Sequence, residues 1–144
     1  MPRNLNDLGK TFDRLPAKIK TAANQAAVSI STVVVNDLTV ATPVDTTEAL
    51  SNWIVTLGSP SSSVIGPHAP GFRGITKKAS AARTNSLAVA ILANKKPGQI
   101  VYITNNVDYI GLLNNGSSSQ APAGFVQRAV LLGRLLARGF KLNL

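Results

Sequence analysis

Leu5, Leu8, Phe12, Leu15, Ile19, Ala22, Ala26, Val33 and Val40 fall on one three-four spacing, which puts them on a common helical face. Ser29 and Asn36 interrupt the row without breaking its phase. A pattern held for so long commits the N-terminal region to helix. Pro16 falls inside it, has no N–H to donate and pushes Leu15 out of the α region. The expectation is therefore a short helix before Pro16 and a long one from about Pro16 to Thr39. The β-branched run Val33-Val34-Val35 keeps the helical phase and is assigned to that helix, which Thr42-Pro43 ends.

Two short runs read as strands: Trp53-Ile54-Val55-Thr56-Leu57, stopped by Gly58-Ser59-Pro60, and Ile100-Val101-Tyr102-Ile103-Thr104, followed by a turn at Asn105-Asn106. Residues 58–75 offer turns but no periodic apolar face. Lys77 to Ala93 is helix-compatible with Thr76 as N-cap, and Ala81, Ala88, Ile91 and Leu92 are available for packing. After a polar loop at 114–119, Ala123 to about Phe140 resumes helical spacing through Phe125, Val126, Ala129, Val130, Leu132, Leu136 and Phe140. The fold class is α+β: a long N-terminal helix, a small, mostly antiparallel sheet, a middle helix and a C-terminal helix. At 144 residues this is one domain, 1–144, with a helical region 1–41 and an α+β body 42–144.

Charged residues make up 15% of the chain, against about 25% in an ordinary soluble domain. A chain so sparsely charged is expected to cover part of its exterior with other subunits. There is no Cys and a single His, so disulfides, thiolate metal sites and imidazole clusters within one subunit are excluded. An early acid, Asp7, with no apolar run behind it argues against a signal peptide. The longest uncharged stretch, Ala49 to Phe72, is too broken by Gly and Pro to span a bilayer. The expectation is a soluble chain made in a cytoplasm, with no membrane partner.

The net charge of +9 is local. Residues 1–60 are balanced, whereas residues 61–100 carry six basic residues and no acid: Arg73, Lys77, Lys78, Arg83, Lys95 and Lys96. These six are a candidate surface for DNA phosphates or for an acidic partner. Only Phe72 stands nearby to stack on bases, which points away from sequence-specific single-strand binding. On the C-terminal helix, Arg134 and Arg138 share a face where the helix dipole accounts for them as well as DNA does.

Catalysis has little to build on. His68 lies in Gly66-Pro67-His68-Ala69-Pro70-Gly71 with no nucleophile elbow to serve. Asp45 and Glu48 are spaced for a metal or for acid–base work, but Asp45 in Pro-Val-Asp-Thr-Thr is more simply a cap accepting backbone N–H bonds. No glycine-rich phosphate loop occurs, and Asn115-Gly116-Ser117 reads as a turn. No catalytic residue, cofactor or metal is assigned.

Thr42-Pro43-Val44-Asp45-Thr46, followed by Asn52-Trp53, resembles the Thr-Pro-Val-Asp-Thr-Gly signature of the tailed-bacteriophage neck and tail-completion proteins, also described as head–tail joining or minor tail proteins. Tyr102-Ile103-Thr104-Asn105-Asn106, then Tyr109, Gly116 and Gln120-Ala121-Pro122-Ala123-Gly124, is similar to a second block of that family, in the same order. The chain departs from the pattern at Thr47, where the family usually has Gly, so this turn is expected to form without a free positive φ there. It also has Glu48 where a basic residue is common, Asn114 where Glu often stands and Ser119 where Lys is frequent.

The resemblance implies a structural virion protein, not an enzyme, assembled in the bacterial cytoplasm into a homo-oligomeric ring, sixfold or twelvefold. That ring would join the head connector or adaptor to the tail tube or tail terminator, with non-specific contact to genomic DNA in its lumen. Pro43, Asp45, Thr46, Trp53, Tyr102, Asn105, Asn106, Tyr109, Gly116, Gln120, Pro122 and Gly124 are the motif positions expected to carry structure or interface. A tail terminator or another minor tail protein is the nearest alternative, and a basic DNA-binding protein is the alternative from another class.

Overall fold

A computed structural model describes residues 5–141. The N-terminal row folds as a single helix, α1 (Leu5–Ala41), about 55 Å long at 1.5 Å per residue. Pro16 lies within it, so the expected division into a short and a long helix is not found. Exposure is the reason. Pro16 removes one N–H···O bond, the one to the Phe12 carbonyl, and the turn around Phe12 is open to water, which replaces the lost donor. At the other end, Thr42 closes α1 by donating its N–H and its Oγ1 to the Leu38 carbonyl at 2.9 and 2.6 Å.

The chain then makes α2 (Glu48–Ser51), β1 (Ile54–Leu57), α3 (Lys77–Leu92), β2 (Val101–Thr104), α4 (Ile110–Asn114) and α5 (Phe125–Gly139). The short α2 and α4 have no periodic signature. β1 and β2 form a two-stranded antiparallel ribbon with Ile54 opposite Thr104 and Leu57 opposite Val101. Each strand starts one residue inside its apolar run, leaving Trp53 and Ile100 outside the ladder. Thr76 occupies the N-cap position of α3 but caps nothing: its hydroxyl is buried without a partner. Its side chain is pressed against Gly71, and its backbone is not in the extended conformation from which a cap reaches back.

Two apolar clusters hold the body together. In one, Leu38 of α1 meets Trp53, Ala121, and Phe125 and Ala129 of α5. In the other, Val35 of α1 meets Val55 of β1 and Ala88 and Leu92 of α3. Ile103 of β2 packs against both. The residues of α1 that are turned inward, Ser31, Val35 and Leu38, lie about 150° round the helix from the row that begins at Leu5, at 100° per residue. The row therefore faces outward: Leu5 is 86%, Phe12 62% and Val40 61% exposed. From residue 5 to 21 only Asp7 and Leu15 are less than exposed, and farther along Asn24 ties α1 to the body, its Nδ2 donating to the Lys95 carbonyl at 3.2 Å. The N-terminal half of α1 is an arm. Among the described residues no helix is long and apolar enough to cross a membrane.

Candidate functional site

The two motif blocks, 42–53 and 102–124, lie far apart in sequence and converge on the turn that joins α1 to α2. Gln120 reaches Val44 with both ends of its amide: Oε1 accepts the Val44 N–H at 3.0 Å and Nε2 donates to the Val44 carbonyl at 2.9 Å. Trp53 Nε1 donates to Thr42 Oγ1 at 2.8 Å, which continues the chain of bonds into the last carbonyls of α1. Asn105 Nδ2 donates to the Ala49 carbonyl at 2.8 Å, and Tyr109 Oη donates to Glu48 Oε2 at 2.9 Å. Asn106 Nδ2 reaches the Ser61 and Ser63 carbonyls at 2.9 and 3.3 Å. Asp45 acts across the molecule and not as a local cap: its Oδ1 accepts the Arg73 N–H at 2.6 Å, while its carbonyl accepts the Gly74 N–H at 2.9 Å. Apart from the side-chain pairs Trp53–Thr42 and Tyr109–Glu48 and the Asp45–Gly74 backbone bond, these are side chains satisfying backbone groups of another segment; where such a group is buried, leaving it unpaired would cost about 1–3 kcal/mol.

The motif glycines have a different task. Gly116 and Gly124 sit at φ 90 and φ 84, a region that suits glycine, and a Cβ on Gly116 would crowd Ala123 at 3.2 Å. Thr47, which stands where the signature it resembles has Gly, also adopts positive φ, 68, so the expectation of a turn without it is overturned. Its burial explains how a β-branched residue stays there: Oγ1 shares a 2.8 Å hydrogen bond with Ser80 Oγ and donates to the Ala69 carbonyl at 3.2 Å. Asn114 has a role that sequence reasoning missed. Its Oδ1 accepts the Val126 N–H at 2.9 Å, capping α5 from a distance because the N-cap residue itself, Gly124, has no side chain. Pro43 is buried; Thr46 and Pro122 are exposed, and Tyr102 is half-buried on β2.

Pro43 to Ala49, Tyr109, Leu113, Ser118 and Gln120 surround an open cleft of about 420 Å³. Glu48 and Asp45 both border it, but each carboxylate is already bonded to the protein. Among the described residues no group of three His, Cys, Asp or Glu could hold a metal ion. The Tyr109 phenol is pushed up to about 12, first by burial and then by the hydrogen bond to Glu48. His68 lies half-buried, its N–H donating to Ser51 Oγ at 3.0 Å; burial, followed by the Arg83 charge, holds its imidazole below the usual range.

The six basic residues do not form one patch. Lys77 Nζ donates to the Val40 carbonyl at 2.9 Å, neutralising the C-terminal end of α1, and Lys95 Nζ donates to Asn24 Oδ1 at 2.7 Å. Lys78 and Arg83 are exposed on α3, Arg73 is exposed on its left-handed turn, and Lys96 is exposed beyond the far end of α3, about 24 Å along the helix axis from its start.

Outward apolar side chains are the larger surface feature. Besides the α1 row, Leu87, Val89 and Ile91 on α3 and Val130, Leu131 and Leu135 on α5 are exposed. Between α1 and the end of α5 lies an open apolar recess of about 480 Å³, bordered by Ala26, Ser29, Ile30, Val33, Leu136 and Phe140. No family model, no curated protein and no solved structure matches this chain.

Proposed function

We propose that this chain is a structural subunit of a tailed-bacteriophage virion, a neck protein that forms a ring between the head connector and the tail and completes the tail. The observation that carries the reading is the apolar surface left in water on three separate helices, α1, α3 and α5. A cyclic ring needs two different faces on each subunit, one for each neighbour. A row as long as that on α1 exceeds what single scattered surface residues explain. The two motif blocks support the reading through their convergence: they rigidify one turn and its cleft, the kind of rigid corner on which a neighbouring protein is positioned. In this reading Arg73, Lys78, Arg83 and Lys96 meet DNA in the lumen or an acidic neighbouring ring, and assembly takes place in the bacterial cytoplasm.

Electron microscopy and native mass spectrometry of intact particles test it. The expected result is multiple copies of this chain in one ring between head and tail. Its absence from the particle sinks the reading, and a ring found at the tail-proximal end instead of the neck makes it a tail terminator.

A further inference from the structure

We propose that the unassembled chain is an antiparallel dimer in which the outward row of α1 pairs with the same row of a second copy. The row recurs every 3.5 residues, not every 3.6, which is the spacing that keeps one stripe of a helix against another helix along its whole length. Among the described residues the row is largely open along the N-terminal half of α1, and the end of α5 borders it only at Ala26, Ser29 and Val33. The residues of α1 that enter the core, Ser31, Val35 and Leu38, lie on the opposite side of the helix, which would place the two bodies on the outer flanks of such a pair.

Side-chain size decides the orientation. The N-terminal half of the row is large and its middle is small. In a parallel pair, like would meet like, crowding Phe12 against Phe12 and leaving Ala26 against Ala26. Turned antiparallel, in the register that places the two-fold between Lys20 and Thr21, Phe12 faces Ser29, Leu15 faces Ala26 and Ile19 faces Ala22. Large against small is the arrangement that fills a helix interface. The recess of about 480 Å³ beside Ser29, closed on its far side by Leu136 and Phe140, is where Phe12 of the second copy enters.

Area and charge agree with this occupant. Covered completely, the exposed fractions of Leu5, Leu8, Phe12, Ile19 and Val33 amount to about 500 Å² per subunit, or about 1,000 Å² for the pair at most, the lower bound for a specific interface. Between Leu8 and Val33 the chain carries Lys10, Asp13, Arg14, Lys18 and Lys20, of which helical spacing sets only Lys18 at the edge of the row. An arm of this length has little reason to stay helical in water without such a partner.

The pairing is isologous and closes on two copies, whereas a ring requires heterologous contacts. It uses the α1 row that also supports the neck reading, in the chain before assembly: particles test that reading, the purified chain tests this one. Sedimentation equilibrium of the full chain at tens of micromolar should give twice the monomer mass, and Phe12→Asp, at an exposed position, should give a monomer with unchanged body melting. A monomeric wild type, or a Phe12→Asp chain still dimeric, overturns the proposal. Because the chain has no Cys, orientation is read by mixing Leu15→Cys and Ala26→Cys chains under mild oxidation. Mixed disulfides between the two, with Leu15→Cys alone failing to cross-link, are expected; efficient cross-linking of Leu15→Cys to itself overturns the antiparallel seam.

Discussion

Thr47 shows how a single residue can be held against its own preference. A left-handed conformation costs a non-glycine residue about 1–2 kcal/mol, and here the cost is offset by hydrogen bonds to Ser80 and Ala69 in a buried site. Thr47→Ala and Thr47→Gly both lose those bonds, but only glycine relieves the backbone. Both should destabilise, and Thr47→Gly should be the more stable of the two by about 1 kcal/mol in urea unfolding. Gln120→Ala removes both partners of the Val44 backbone at once and should cost about 1–3 kcal/mol by the same measurement. Tyr109 supplies a pH signature. Its folded pKa, about 12, lies above the ordinary value of 10.0, so the folded state holds the proton more firmly than the unfolded one. The contribution is complete below pH 10 and is lost as pH rises through 12. Denaturant midpoints of wild type and Tyr109→Phe should therefore converge across that window.

At the scale of elements, α1 joins two regimes in one helix. Its C-terminal half is fixed by packing between α3 and α5, and its N-terminal half by propensity and whatever covers the row. Pro16 lies in the second regime. Pro16→Ala should restore the bond to the Phe12 carbonyl and slow amide exchange from residue 8 to 20, without moving the melting of the body, because all of that part of α1 but Leu15 is exposed. α1 and α5 were legible because their apolar periods run over many residues, α3 through its Ala-rich composition, and the strands through short β-branched runs closed by turn residues. α2 and α4 were not, since a helix of four or five residues is made by its surroundings. The motif positions were legible as a set, but their task was not: Gln120 and Val44 are far apart in sequence, and only folding shows that one amide satisfies both polar groups of the other residue's backbone.

For the whole molecule, the basic middle segment is divided by the fold. Lys77 and Lys95 are spent on carbonyls and amides of the protein, and the remaining cations lie along the full length of α3 and beyond. Binding to a short duplex should therefore be measurable at low salt, show the shallow salt slope of about two or three phosphate contacts, and vanish by physiological ionic strength; a slope several times steeper would mean a concentrated site.

The sequence by itself determined that α1 is a helix and which of its residues share a stripe, because a period depends only on neighbours along the chain. It also determined the α+β class, through two short β-branched runs set between helical ones. Only the tertiary structure decided that the stripe faces away from the body. Ser31, Val35 and Leu38 fit the space between α3 and α5, and burying that side fixed the rotation of the helix whichever face was richer in apolar residues. The same packing decided that Thr47 takes a glycine's conformation and that Asn114 caps a helix it does not belong to, since both depend on partners that the chain brings together only when it folds.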